Sequence, residues 1–177
     1  MGFFSWLFKP SAGKAVANTT KRVSSQDAAE EIAALHREAT AKKSEKDWDA
    51  AIACLREAAE LSPHTKVTYP IKHYLRLPVF LQQAGRVDES MREFSELIDS
   101  VQGRIGKDFA HQPESVQEYL CHADYAAIYE AMATACKRQK MLEKMTEYAE
   151  LATFHDNEHK RLSKKKHPKP RSYKRQH

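Results

Sequence analysis

Between Gln26 and Leu162 the apolar residues return every three or four positions, and that period belongs to helices packed along one face. The first stretch shows it in Ile32, Leu35 and Ala39, then in Trp48, Ala51, Ile52, Leu55, Ala58, Ala59 and Leu61. Composition agrees, since 24 Ala against 5 Gly favours the best helix former over the residue that sheets use at turns and bulges. The expected fold class is all-α. At 177 residues, with 41% hydrophobic and 30% charged, the chain can bury one self-sufficient core and is too apolar for wholesale disorder. It has no apolar run of the roughly 20 residues that a membrane-spanning helix needs.

Breakers divide the periodic region into three antiparallel αα-hairpins, about six or seven helices over 26–162. Pro63 closes the first hairpin. The second carries Tyr74, Leu77, Val79, Phe80 and Leu81, a turn at Gly85, then Val87, Met91, Phe94, Leu97 and Ile98. Pro78 is expected to remove a hydrogen bond from its helix and kink it. Gly103, Gly106 and Pro113 mark 101–116 as a loop or short insert, with Pro113-Glu114 starting the next helix. In the third hairpin, Tyr119, Leu120, Tyr125, Ile128, Met132 and Ala135 are expected to face Leu142, Met145, Tyr148, Leu151 and Ala152.

The formal charge of +5 hides unlike parts. Residues 1–22 hold four cations and 160–177 hold nine, both without an acid, which leaves 16 cations against all 24 acids in between. The body is therefore acidic and the ends basic. The first segment packs Phe3, Phe4, Trp6, Leu7 and Phe8 ahead of Lys9-Pro10. It lacks the basic start of a signal peptide, and Trp6 stands where the myristoylation pattern wants Ser or Thr. Either Phe3, Phe4, Trp6 and Phe8 cap the domain or contact a partner, or they anchor at a membrane interface. Residues 10–25 read as linker. The other end, 163–177, reads as a disordered tail whose Lys164, Lys165, Lys166, Lys169, Arg171, Lys174 and Arg175 suit nucleic acid, anionic membrane or acidic protein, or merely solubilise.

WDAAIACLREAAELSP resembles a helix of the tetratricopeptide repeat, with Trp48 at the aromatic position, Ala51, Leu55 and Ala58 at packing positions and Pro63 as terminator. Tyr74, Leu77, Leu81, Gly85, Ser90 and Phe94 fit the same pattern, and Ile128, Ala131, Ala135, Met145 and Tyr148 match it in size alone. Leu55 to Phe94 is 39 residues and Phe94 to Tyr148 is 54, against the family's period of about 34. The resemblance implies a short superhelix whose first helices line a concave face for a peptide or partner helix. An unrelated helical bundle is the alternative. The groove positions it implies are His36, Thr40 and Lys43, then Lys72, Arg76 and Gln83, then Tyr129 and Lys137. Lys72 and Arg76, one helical turn apart, could grip one carboxylate, as in the clamp of some tetratricopeptide domains. Thr40 and His36 stand where that clamp has Asn and Lys. An ordinary solvated basic edge is the plainer reading.

Enzymatic patterns are thin. His155-Asp156-Asn157-Glu158-His159 matches the H-x-x-E-H zinc pattern, but a third ligand is wanting downstream, and a cation-rich helix end explains the histidines as well. Cys121-His122 is a poor nucleophile and base, because neighbours on a helix diverge by about 100°. No Gly-rich phosphate loop exists. Three Cys without CxxC argue against a disulfide framework and for a reducing, cytoplasmic setting, peripheral to a membrane if the ends anchor. The expectation is a non-catalytic adaptor without metal or cofactor, the alternative being a nucleic-acid-associated or peripheral-membrane protein held by its ends.

Overall fold

A computed structural model of the chain describes residues 24–164. Seven α-helical segments follow one another there: α1 (Ser25–Ser44), α2 (Trp48–Leu61), α3 (Ile71–Tyr74), α4 (Arg76–Gln83), α5 (Val87–Asp108), α6 (Glu114–Arg138) and α7 (Leu142–Ser163). One turn of 3₁₀ helix covers Ser62–His64, and the described residues contain no strand. α3 and α4 are two pieces of one interrupted rod, so the architecture is six rods.

Local chemistry sets the boundaries. Ser24 caps α1 in a reciprocal pair with Asp27, each side chain accepting from the other's backbone N–H (3.1 and 3.2 Å). Asp47 caps α2 by accepting from the N–H of Ala50. The turns α1–α2, α4–α5 and α6–α7 are built alike. Each has one residue in the left-handed region, at Lys46 (φ 63°), Gly85 (φ 82°) and Lys140 (φ 59°). In each, the following residue donates its N–H across the turn: Asp47 to Lys42, Arg86 to Leu81, Met141 to Cys136. This is the six-to-one bond of a Schellman closure, and Gly85 alone of the three adopts its φ without a side-chain penalty.

The break in the third rod stands at Leu75, upstream of the proline expected to cause it. α3 ends at Tyr74, the residue whose carbonyl lies four before Pro78, where a prolyl ring clashes and brings no N–H. The ladder resumes when Val79 donates to Leu75 (3.2 Å). The Pro78 carbonyl in turn accepts from the buried Ser90 hydroxyl (2.8 Å), tying α4 to α5.

Residues 101–108 are not the loop that two glycines suggest. α5 runs through Gly103 and Gly106 to Asp108, because Val101 and Ile105 continue the stripe of Phe94 and are buried against Ile128 and Met132 of α6. That burial outweighs about 1 kcal/mol of helix propensity lost per glycine. The start of α6 falls after Pro113, as the sequence indicates. Leu142 is a second departure: it is 64% exposed at the start of α7, outside the apolar stripe assigned to it.

Side-chain pairs give the directions. His36 and Thr40 of α1 meet Arg76, and Lys43 further on meets Phe80, so α1 and α4 run parallel. Arg104 lies over Tyr74 and pairs with Asp124, while Arg138 donates to the buried Gln82, so α4 and α6 are parallel too. α7 returns along α6, with His159 on Tyr119 and Tyr148 on Tyr129. The three left-handed turns therefore share one edge, and the start of α1 and the end of α7 share the other. Small buried residues, Ala39, Ala51 and Ala58, let α1 and α2 approach, and Ile52 and Leu55 then pack on Leu77, Phe80 and Leu81.

A Cβ added at Gly103 meets nothing within 4 Å. Gly103→Ala should raise stability by about 1 kcal/mol in urea unfolding, and Lys140→Gly by roughly 0.5–1 kcal/mol, while Gly85→Ala should lower it by about 1 kcal/mol. A loss on Gly103→Ala would contradict the helical placement of that residue.

Candidate functional site

Arg76 opens α4 directly after the bend at Leu75, and its side chain crosses to α1. One terminal nitrogen donates to the Thr40 hydroxyl (2.7 Å) and the other to Nδ1 of His36 (2.8 Å). A guanidinium has no lone pair to offer, so His36 accepts at Nδ1 and carries its proton on Nε2. Thr40 keeps its own proton for the carbonyl of His36 (3.0 Å). The guanidinium also lies 5.4 Å from the centre of the Phe80 ring, and the Lys43 ammonium lies 4.8 Å from that same centre.

No carboxylate takes part. Burial holds the His36 pKa down at about 4, with Arg76 and His73 adding to it. His73, whose ring is 5.0 Å from that of His36, is lowered by burial and then by Lys72 and Arg76. Arg76 itself is lowered by burial. The sequence behind this is a run from Leu61 to Val87 that holds Lys66, Lys72, Arg76 and Arg86 and not one acid, within an acidic body. Arg76 is thus a partly buried cation held by neutral acceptors.

The structure brings His36, Thr40, Lys43 and Arg76 together. Lys72 is exposed on α3, four residues before Arg76, with the helix assignment interrupted between them at Leu75. Two of the donors of Arg76 are already bound to α1. Gln83 ends α4 half-buried, and its neighbour Gln82 is the buried one, accepting from Arg138 (2.9 Å). Tyr129 and Lys137 lie apart. Tyr129 stacks on Tyr148 (6.2 Å) and His155 (5.6 Å) in the α6–α7 seam, and Lys137 is exposed beside Ala133 and Met145. Lys164 is exposed after the last helical turn. Phe3, Phe4, Trp6 and Phe8, and the tail cations Lys165, Lys166, Lys169, Arg171, Lys174 and Arg175, lie outside the described residues.

Sequence reasoning missed Phe80 and His73 as members of the cluster. Phe80 reads as core, and His73 sits in a four-residue helix too short to show a period. The acid-free run was the available signal.

His155 and His159 turn to different partners. Nδ1 of His155 is 2.9 Å from Nδ1 of His122, whereas His159 stacks on Tyr119 (4.1 Å) and donates to its carbonyl (3.1 Å). Among the described residues no three His, Cys, Asp or Glu are grouped to hold a metal ion. The Cys121 thiol is pushed up by burial and by Asp124, away from the thiolate. No helix of the described residues is long and apolar enough to cross a membrane. Compared with known proteins, the chain matches no family model, no curated protein and no solved structure.

The lowered histidines give the fold a pH dependence. An unfolded chain protonates His36 near 6.5, the folded one only at about 4. Between those values the unfolded state holds more protons, so stability falls as pH drops from about 6.5 toward 4. His73 and His155 contribute in the same direction. His36→Gln keeps an acceptor for Arg76 and should flatten the slope of urea midpoint against pH, whereas an unchanged slope would remove His36 from this account.

Proposed function

We propose that the helical body is a non-catalytic interaction module of tetratricopeptide-like build, taking an acidic peptide across the face that α1, α3 and α4 form. Two features support a degenerate repeat: the same turn closes three successive hairpins, and the first helix of each hairpin runs parallel to the others.

The observation that carries the binding reading is the uncompensated charge of Arg76. Two of its donors go to His36 and Thr40, which orient the plane of the guanidinium and leave its remaining N–H groups for a ligand. A carboxylate arriving there makes charge-assisted bonds without first displacing a competing acid. Lys43 and Lys72 extend the positive field on the same face, which raises the rate of encounter with an anionic partner and makes it salt-sensitive. The cytoplasmic setting expected from the cysteines suits such an adaptor.

Fluorescence anisotropy with a Glu- and Asp-rich peptide ending in a free carboxylate tests this. Arg76→Ala should weaken binding at least tenfold, about 1.4 kcal/mol, and Lys43→Glu, which also gives up the ammonium's contact with the Phe80 ring, should weaken it severalfold. Deleting 165–177 should leave peptide binding in place. If instead nucleic acid or anionic vesicles bind, and that binding goes with the tail, the nine-cation end is the functional element and the groove reading fails.

A further inference from the structure

The helices of the first two hairpins do not fill the space between them. A cavity of about 90 Å³ remains, with apolar walls from Ile32, Leu55, Leu77 and Leu97. In liquid water that is the share of about three molecules, and it takes a chain of three or four carbons. Its lining carries six polar side chains, His36, Ser62, Tyr69, His73, Tyr74 and Glu93, of which His73 and Glu93 are the acceptors offered to a ligand. Nδ1 of His73 is buried and has no hydrogen-bond partner, although the ring is held between those of His36 (5.0 Å) and Tyr69 (5.2 Å). A buried nitrogen left this way bears its full desolvation penalty, which a ligand's donor would relieve.

An open groove adjoins the cavity. Ala59, Ser62 and Tyr74 wall the cavity and also wall this groove of about 760 Å³ between the 3₁₀ turn, the loop after it and α5. The groove is lined by Lys66 and Lys107, neither in an ion pair, and by Arg104, which Asp124 already neutralises. Asp108 is the one carboxylate on its lining. The two compartments therefore select opposite ends of a ligand. Glu93 in the inner wall repels an anion and, with Nδ1 of His73, accepts from a neutral hydroxyl. Lys66 and Lys107 at the outer end favour an anion and repel an amine.

We propose that cavity and groove form one binding site for a small hydroxylated carboxylic acid, its hydroxyl and short apolar chain inside at His73 and its carboxylate outside beside Lys66 and Lys107. The site adjoins the acidic-peptide face at His36, which lines the cavity and also holds Arg76, whereas Arg76, Thr40 and Lys43 line neither compartment.

An NMR titration of the full chain with omega-hydroxyhexanoate reads it directly. Saturable shifts are expected at Ala59, Ser62, Tyr74 and the His73 imidazole, with a Kd of about 1 mM, and hexanoate and hexanediol should each bind about tenfold more weakly. The exposed double variant Lys66→Glu, Lys107→Glu should erase the preference over hexanediol, and His73→Phe the preference over hexanoate. The charge variant tests the site even if His73→Phe does not fold. No saturable shift at about 10 mM would mean that the cavity holds water only, and binding that the charge reversal leaves unchanged would equally overturn the proposal.

Discussion

Each hairpin among the described residues is closed by a pair of backbone hydrogen bonds around a left-handed residue, and the arrangement of the rods follows from that closure. A turn this short leaves the second helix no choice but to return along the first. Antiparallel pairs then stack with their first helices parallel, which is why side chains on α1 and α4, far apart in sequence, meet at matching heights. Lys46 and Lys140 hold a conformation that glycine adopts more easily, so the geometry is set by what the two flanking helices bury rather than by the turn residue's own preference.

The electrostatics run against the net composition. An acidic body would be expected to neutralise its cations locally, and three of its arginines are so treated: Glu89 binds both Arg86 and Arg56, and Asp124 binds Arg104. Arg76 is held differently, tied to a histidine that burial keeps neutral. Were His36 protonated, two positive charges would face each other at hydrogen-bond distance, so the guanidinium adds to the burial that chiefly holds the imidazole pKa low. The same pairing explains why Thr40 and His36, odd members of a carboxylate clamp, suit this cluster: both can accept from a guanidinium, and a lysine at position 36 could not.

Much of the helical content was legible because period and punctuation agreed. Ile32, Leu35, Trp48, Ile52 and Leu55 mark a face that the structure buries or half-buries, and Pro63, Gly85 and Pro113 stop or start helices where their backbone chemistry says. Reading failed where a local rule met a tertiary gain. Gly103 and Gly106 signal a break that Val101 and Ile105 override from the neighbouring turns. Pro78 signals a kink, yet a proline's steric demand acts on the carbonyl behind it, so the bend falls at Leu75. The site was half legible. The positions His36, Thr40, Lys43 and Arg76 could be named from what the resemblance to the repeat implies. Their mutual bonding could not, because α1 and α4 are placed together only through the intervening α2 and its contact with α4. The cavity beside His73 was invisible in sequence for a related reason: every residue around it is individually a good core or loop residue, and a void is a property of the set.

Six rods that alternate in direction have an even count, and evenness governs how the molecule could be held. The first and last described turns, at Ser24 and Lys164, leave on the edge opposite Lys46, Gly85 and Lys140. A contact made at the Ser24 end of the helical body would therefore find Lys164 on its own side, with the three turns pointing away from it like the far rim of a comb. A single added rod would reverse that, sending Lys164 out between the turns. Whatever approaches the body from the other side meets the turns at Lys46, Gly85 and Lys140.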